Sequence, residues 1–226
     1  MRSRTWGASF GSYRRVTSPK WVCLDVGETL IDETRVWTVW AEVLGITPLT
    51  LIAGLGAAIV GGDHRGVAEI LGRNDWPAFQ PEFERRYGGF QEIDLYPDAR
   101  DAVRALGANG YRVAVLANQP APRTAELRAL GINPDVMAMS DELGVHKPDP
   151  AFYERSLALL GSPDANAVAY VGDRLDNDVR PAAAAGMRAV WLRRGPWAAL
   201  TKDAPTEADL VVDSLTELVQ RIGEVL

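Results

Sequence analysis

Cysteine is nearly absent: the 226 residues include one, Cys23, and only two histidines. A lone thiol excludes a disulfide framework within the chain and fits a reducing, cytoplasmic setting. With no Cys or His cluster at ligand spacing, a zinc centre is not expected. A basic excess is missing too. The formal net charge is −6, which argues against a general nucleic-acid binder, because such domains carry a basic face. No apolar run is long enough to span a bilayer, so no membrane partner is expected. The sequence also lacks internal repeats and low-complexity linkers, and its 47% apolar and 24% charged residues are ordinary for a globular chain.

Charge is unevenly placed. The first twenty residues hold Arg2, Arg4, Arg14, Arg15 and Lys20 and no acid. Arg14-Arg15 is the pair that opens a twin-arginine export signal, but the only apolar run that follows is a short one ending at Asp25. Residues 1–19 therefore read as a mobile basic extension that docks on an acidic body.

That short run, Trp21 to Leu24, stops at Asp25 and the turn Val26-Gly27-Glu28. A brief apolar run bounded by turn chemistry predicts a buried strand of a parallel sheet. Ligands bind beyond the carboxyl ends of such strands, where Asp25 falls, although an isolated strand-end Asp also serves to cap the next helix. From Val36 to Leu44 the spacing turns helical, Gly45 ends that helix, and a second helix is expected from about Leu49 to Val60. Gly54-x-Gly56 has no third glycine or acidic partner of a dinucleotide loop and predicts close helix packing instead. Shorter helices are expected at 66–71 and 81–87, so residues 32–92 read as a small helical unit. Thereafter strand and helix alternate. Helices are predicted from Pro97, from Arg123, after Pro150, up to Gly186 and after Ser214, and strands at 111–117, 136–139, 167–171, 188–192 and 210–212. Such βα repetition predicts an α/β fold with a doubly wound parallel sheet.

Asp25, Asn118 and Asp173 each end a predicted strand, and Lys147 lies in a loop on the same side. Two converging carboxylates raise each other's pKa unless a cation sits between them. A hard divalent ion with oxygen ligands, Mg²⁺ rather than zinc, resolves that conflict.

Four motifs, Asp25-Val-Gly-Glu-Thr29, Leu116-Ala117-Asn118, Lys147-Pro148-Asp149-Pro150 and Gly172-Asp173-Arg-Leu-Asp-Asn177-Asp178, stand in this order at strand ends. In them the chain resembles the haloacid dehalogenase (HAD) superfamily from Trp21 to the C-terminus. The resemblance implies a Rossmann-like core over residues 20–31 and 93–226 with a helical cap over 32–92. It implies that Asp25 is the nucleophile and that Lys147 steadies it. Mg²⁺ would be held by Asp25, the Gly27 carbonyl, Asp173 and Asp178, the last as a supporting acid. The implied activity is hydrolysis or transfer of a phosphoryl group on a small phosphorylated molecule.

Two positions depart from the family pattern. Gly27 stands where most family phosphatases carry an Asp that protonates the leaving group, a role worth roughly 10²–10⁴ in rate. Ala117-Asn118 stands where a hydroxyl donor is usual, leaving the Asn118 amide as the expected substitute. Turnover is accordingly expected to be attenuated, and Gly27→Asp is expected to restore it if the turn accepts a Cβ. Two other readings stay open: a dehalogenase or phosphonate hydrolase, and a ligand-binding or interaction module without turnover. In the helical unit, Arg35, His64, Arg65, Arg73 and Trp76 are the residues that could grip an anion, though surface charge and core packing are the plainer reading of each. His146 reads as a loop residue.

Overall fold

The computed structural model describes residues 19–61, 66–201 and 205–226; the basic segment 1–18, His64 and Arg65 lie outside these. Among the described residues, six parallel strands form one sheet: β1 (Trp21–Leu24), β2 (Arg112–Ala117), β3 (Val136–Met139), β4 (Val168–Gly172), β5 (Arg188–Leu192) and β6 (Leu210–Val212). Their order is β3-β2-β1-β4-β5-β6. Sequence order thus reverses beside β1, and such a switch point opens a crevice beyond the strand ends. Asp25 follows β1 and Asp173 follows β4, its hydrogen-bonded neighbour, so the two acids flank this crevice.

Alternation along the strands divides the core into two layers. Val22, Leu24, Val113, Val115, Ala169, Val171, Val190 and Leu192 face one side, and Trp21, Cys23, Ala114, Leu116, Tyr170, Ala189 and Trp191 face the other. A period of two with both faces apolar is what a sheet covered by helices on both sides requires.

Between β1 and β2 the described residues form helices: α1 (Thr34–Leu44), α2 (Pro48–Gly61), α3 (Val67–Ile70), α4 (Gln80–Tyr87) and α5 (Ala99–Ala108). The later helices are α6 (Arg123–Ala129), α7 (Ser140–Leu143), α8 (Pro150–Leu159), α9 (Arg180–Ala184), α10 (Gly195–Leu200) and α11 (Leu215–Arg221). Several differ from the sequence expectation at their ends. α5 starts two residues after Pro97. A π-helical turn over Leu175–Val179 precedes α9, and the short α7 and α10 were not anticipated because four to six residues carry too little periodicity. Gly54 is buried in α2, and a Cβ there would come within 3.0 Å of Leu71. The glycine thus serves close helix packing, as its context suggests.

An aromatic stack holds α1 to α4. Trp40 lies on Phe83 with ring centroids 4.2 Å apart, Phe83 on Tyr87 at 5.2 Å, and Trp76 tilts against Trp40 at 5.1 Å. Trp76 is therefore a packing residue. Arg73 bonds Asp75 and the Leu44 carbonyl, the plain structural reading again.

The two chain crossings between sheet and helices α1–α4 are zipped together. Asp32 N–H donates to the Asp94 carbonyl at 2.8 Å, Tyr96 N–H donates to the Leu30 carbonyl at 2.9 Å, and Ile31 pairs with Leu95. Arg35 locks this joint. Its guanidinium reaches Asp94 at 2.5 and 2.8 Å, the carbonyls of Tyr87 and Gly89, and the face of the Tyr87 ring. Asp94 is only 2% exposed, so losing its partner would strand a buried charge. Arg35→Met is expected to lower the unfolding free energy by about 3 kcal/mol. Urea denaturation would show this, and a loss under about 1 kcal/mol would place the pair among ordinary surface bridges.

Candidate active site

Beyond β1 the chain reverses at once. The Val26 carbonyl accepts from the N–H groups of Thr29, Leu30 and Ile31 at 3.2, 2.8 and 2.9 Å, and Glu28 N–H returns a bond to Ile31 at 2.7 Å. Glu28 has a φ of 49°, a left-handed conformation tolerated because its side chain is fixed at both oxygens. Oε1 accepts from Glu33 N–H at 2.9 Å and Oε2 from the Tyr96 hydroxyl at 2.6 Å. Glu28 is therefore part of the joint between the two crossings.

The loop after β3 brings in Lys147. Its Nζ lies 2.7 Å from Asp25 Oδ1 and 2.6 Å from Asp178 Oδ1, and the residue is 5% exposed. Burial alone would push its pKa down; the Asp178 and Asp25 carboxylates outweigh this and hold it above the usual lysine range. Asn118 fixes the loop. Its Oδ1 accepts from Lys147 N–H at 2.7 Å and its Nδ2 donates to the Lys147 carbonyl at 2.9 Å. Asn118 thus positions the lysine loop, and its second amide hydrogen is not engaged by these two bonds. Its carbonyl and one amide hydrogen are spent on positioning the lysine.

Asp178 accepts from Lys147 at Oδ1 and from Arg174 N–H at Oδ2, 3.0 Å away. With both oxygens engaged it suits a supporting role better than direct ligation. Burial pushes its pKa up to about 6, with Lys147 pulling down and Asp25 pushing up. Asp173 is 2% exposed and its Oδ2 has no hydrogen-bond partner. Burial first, then Asp178 and Asp25, raise its pKa well above the carboxylate range. Oxygens of Asp25, Asp173 and Asp178 lie within 4.8 Å of one another. A buried orphan oxygen in an all-oxygen cluster is the donor set of a hard divalent cation, and the residues fit Mg²⁺.

These groups open on a cavity of about 210 Å³, whose lining includes Asp25, Gly27, Asn118, Lys147 and Asp173, and also Glu33, Val36 and Trp37 of α1 and its approach, Gln119, Arg174 and Trp197. The second group escaped the sequence reading. Trp37 lies one turn from Trp40 at the edge of the apolar stripe of α1 and packs partly on the core, so its place in the helix carried no separate signal. Arg174 sits inside a recognised motif; its guanidinium stacks on Trp197 at 4.0 Å and pairs with Asp176 at 2.5 Å. Glu33 is the one acid in that second group. Burial pushes its pKa up to about 8, with Glu28 and Asp25 adding to the rise and Trp37 and Arg174 opposing it. A Cβ on Gly27 would stand 2.4 Å from Glu33 Oε1, so Gly27→Asp is not accommodated while Glu33 keeps its place.

A carboxyl group whose folded pKa is raised holds its proton longer in the fold than in the unfolded chain. Its stabilisation is therefore full below the ordinary carboxylate range and is lost as pH climbs through the raised value. In chelator, the melting temperature is expected to fall from pH 5 to pH 8 as Asp178 ionises. Saturating Mg²⁺ should restore about 5 °C at pH 8. Asp173→Asn should abolish the Mg²⁺ response, as read by thermal denaturation.

The family model for haloacid dehalogenase-like hydrolases matches residues 19–186. The phosphoglycolate phosphatase of Pseudomonas fluorescens is 28% identical over 224 residues, covering 89% of this chain and 79% of the relative. The glyceraldehyde 3-phosphate phosphatase of Methanopyrus kandleri is 32% identical over 60% of this chain and 59% of its own length. For the phosphoserine phosphatase of Thermus thermophilus the figures are 34%, 55% and 49%. Against these last two the chain spans between about half and three-fifths of the relative's length. Among solved structures, a predicted phosphoglycolate phosphatase from Haemophilus somnus superposes with a TM-score of 0.69 at 21% identity, covering 92% of this chain and 99% of that one. The magnesium-bound HAD-hydrolase YfnB of Bacillus subtilis gives 0.66 at 18%, covering 91% and 99%, and at such identities the likeness is one of fold. With the family model spanning most of its length, the chain belongs to the haloacid dehalogenase-like hydrolases.

Proposed function

We propose that the protein is a Mg²⁺-dependent phosphatase acting on a small phosphorylated metabolite through a phospho-Asp25 intermediate. One observation carries the reading: a buried ammonium, Lys147, held between Asp25 and Asp178 at 2.7 and 2.6 Å beside the orphaned Asp173 carboxylate. A carboxylate that attacks an anionic phosphoryl group needs positive charge on both partners. Lys147 supplies it to Asp25 and to the transferring group at once. Asp25, Asp173 and the Gly27 carbonyl would hold Mg²⁺, backed by Asp178, and the ion when bound offsets charge on the phosphoryl oxygens. Asn118 keeps Lys147 in register. The walls from Val36 and Trp37 place the start of α1 over the site, which supports a capping role for the helical unit over 32–92 and exclusion of water from Asp25.

The cavity is smaller than those that take drug-sized ligands, commonly about 300–1,000 Å³. The three relatives reported above are named for glyceraldehyde 3-phosphate, phosphoserine and phosphoglycolate and another for ribulose 1,5-bisphosphate; a short-chain phosphate suits a volume of about 210 Å³.

With Mg²⁺ and an aryl phosphate, wild type is expected to form a phosphoryl adduct at Asp25 that mass spectrometry locates after acid quench. Asp25→Asn should lose the adduct and turnover by roughly 10³-fold or more. Absence of label from every phosphoryl donor tried would sink this reading in favour of a ligand-binding role.

A further inference from the structure

The proposed phosphatase chemistry needs a proton for the leaving oxygen, and the cavity offers a short set of candidates. Glu28 is bound at both oxygens by Glu33 N–H and the Tyr96 hydroxyl. Asp178 is bound at both by Lys147 and Arg174 N–H. Asp25 faces Lys147 as the attacking group, Asp173 belongs to the cation set, Lys147 is held between Asp25 and Asp178, and Arg174 is paired with Asp176. Among the described residues that line the cavity, Glu33 remains. It lines the same cavity as Asp25, Lys147 and Asp173 and is only partly buried.

Its position is tied to the glycine. The reversal at Val26 brings the chain back across Gly27, which pairs with Ile31. The Glu33 carboxyl then fills the space that a side chain at 27 would take: Oε1 lies 2.4 Å, and the carboxyl carbon 2.9 Å, from a Cβ built there. Any larger residue at 27 would expel it. The main chain of Glu33 is anchored as well, through its N–H to Glu28 Oε1 at 2.9 Å and its carbonyl, which accepts from Trp37 N–H at 3.1 Å.

We infer that Glu33 is the general acid and base of the reaction, reaching from the start of the helical unit into the space left open by Gly27. As Asp25 attacks phosphorus, the bond from phosphorus to the leaving oxygen breaks and its electron pair stays on that oxygen, which takes the proton of the Glu33 carboxyl group. The Glu33 carboxylate then accepts a proton from a water whose oxygen attacks phosphorus. The bond to Asp25 breaks, its electron pair returns to the aspartate, and hydrogen phosphate leaves. Both groups end as they began, and the sum is ester plus water giving alcohol plus phosphate.

This inference rests on the phospho-Asp25 reading, and its test separates the two. Alkyl and aryl phosphates of matched size are turned over by wild type, Glu33→Gln, Gly27→Asp and the double variant Gly27→Asp/Glu33→Ala, with adduct formation and decay at Asp25 followed by quenched mass spectrometry. Glu33→Gln should label Asp25 from an aryl phosphate within a few-fold of the wild-type rate. It should lose roughly 10²–10³-fold with the alkyl ester and in adduct decay, so that the adduct accumulates. Gly27→Asp alone should gain nothing, whereas the double variant should recover at least about tenfold of the alkyl turnover missing from Glu33→Gln. A Glu33→Gln protein that labels Asp25 yet keeps the wild-type alkyl-to-aryl ratio and adduct lifetime overturns the role of Glu33 alone. Failure of every form, wild type included, to label Asp25 overturns the phosphatase reading and this one with it. An unchanged melting temperature and Mg²⁺ shift in Glu33→Gln would exclude misfolding as the cause of a loss.

Discussion

The buried ammonium of Lys147 is the interaction on which the site depends. Parallel strands deliver Asp25 and Asp173 to one switch point, and the turn after β4 adds Asp178 from below. Left alone, these acids would repel each other in a poorly hydrated space. Lys147 pairs with two of them directly, one positive charge shared between Asp25 and Asp178, and the Tyr170 ring supports it from 5.4 Å. Removing one partner of such an arrangement commonly costs about 3–5 kcal/mol, because the charge left behind stays buried. The reciprocal hydrogen bonds between Asn118 and the Lys147 main chain thus set where the positive charge falls.

A second constraint joins chemistry to architecture. α1 presents Trp40 to the aromatic stack, while Val36 and Trp37, one turn earlier on the helix, wall the cavity. The same helix is therefore both a packing element and part of the site. Glu28 fastens the joint to Tyr96, and Arg123 ties α6 to Glu84 of α4 at 2.8 Å. Side chains from the helical unit and from the sheet edge meet across these bonds, so displacement of one crossing is felt at Asp25.

Much of this was legible in the sequence because parallel strands announce themselves. Runs such as Val113 to Ala117 and Val168 to Val171 are apolar at every position, and their ends coincide with Asn118 and Asp173. The strand set, the α/β class and the convergence of Asp25, Lys147 and Asp173 followed from that. The bonds from Asn118 to the Lys147 main chain did not, because where a distant loop lands is not written in local spacing. Glu33 was hidden for a related reason. Its separation from Gly27 carries no periodic signal, and only the reversal at Val26 places one over the other. Arg35 and Arg73 were open to two readings from sequence, and their bonds to Asp94 and to the Leu44 carbonyl decide for structure.

Cys23 sits at the centre of β1, wholly buried between β2 and β4, and burial raises its thiol pKa far above the ordinary range. A thiol that is seldom ionised and never reached by solvent reacts slowly with maleimides and iodoacetamides. Because the sequence holds no other cysteine, the native protein is already close to a cysteine-free background for spectroscopy. A cysteine introduced at the exposed Val60 of α2 and another at the exposed Glu224 near the C-terminus would be labelled selectively. The distance between the two dyes would then report the position of the helices relative to the sheet in solution, with the interior thiol left in place.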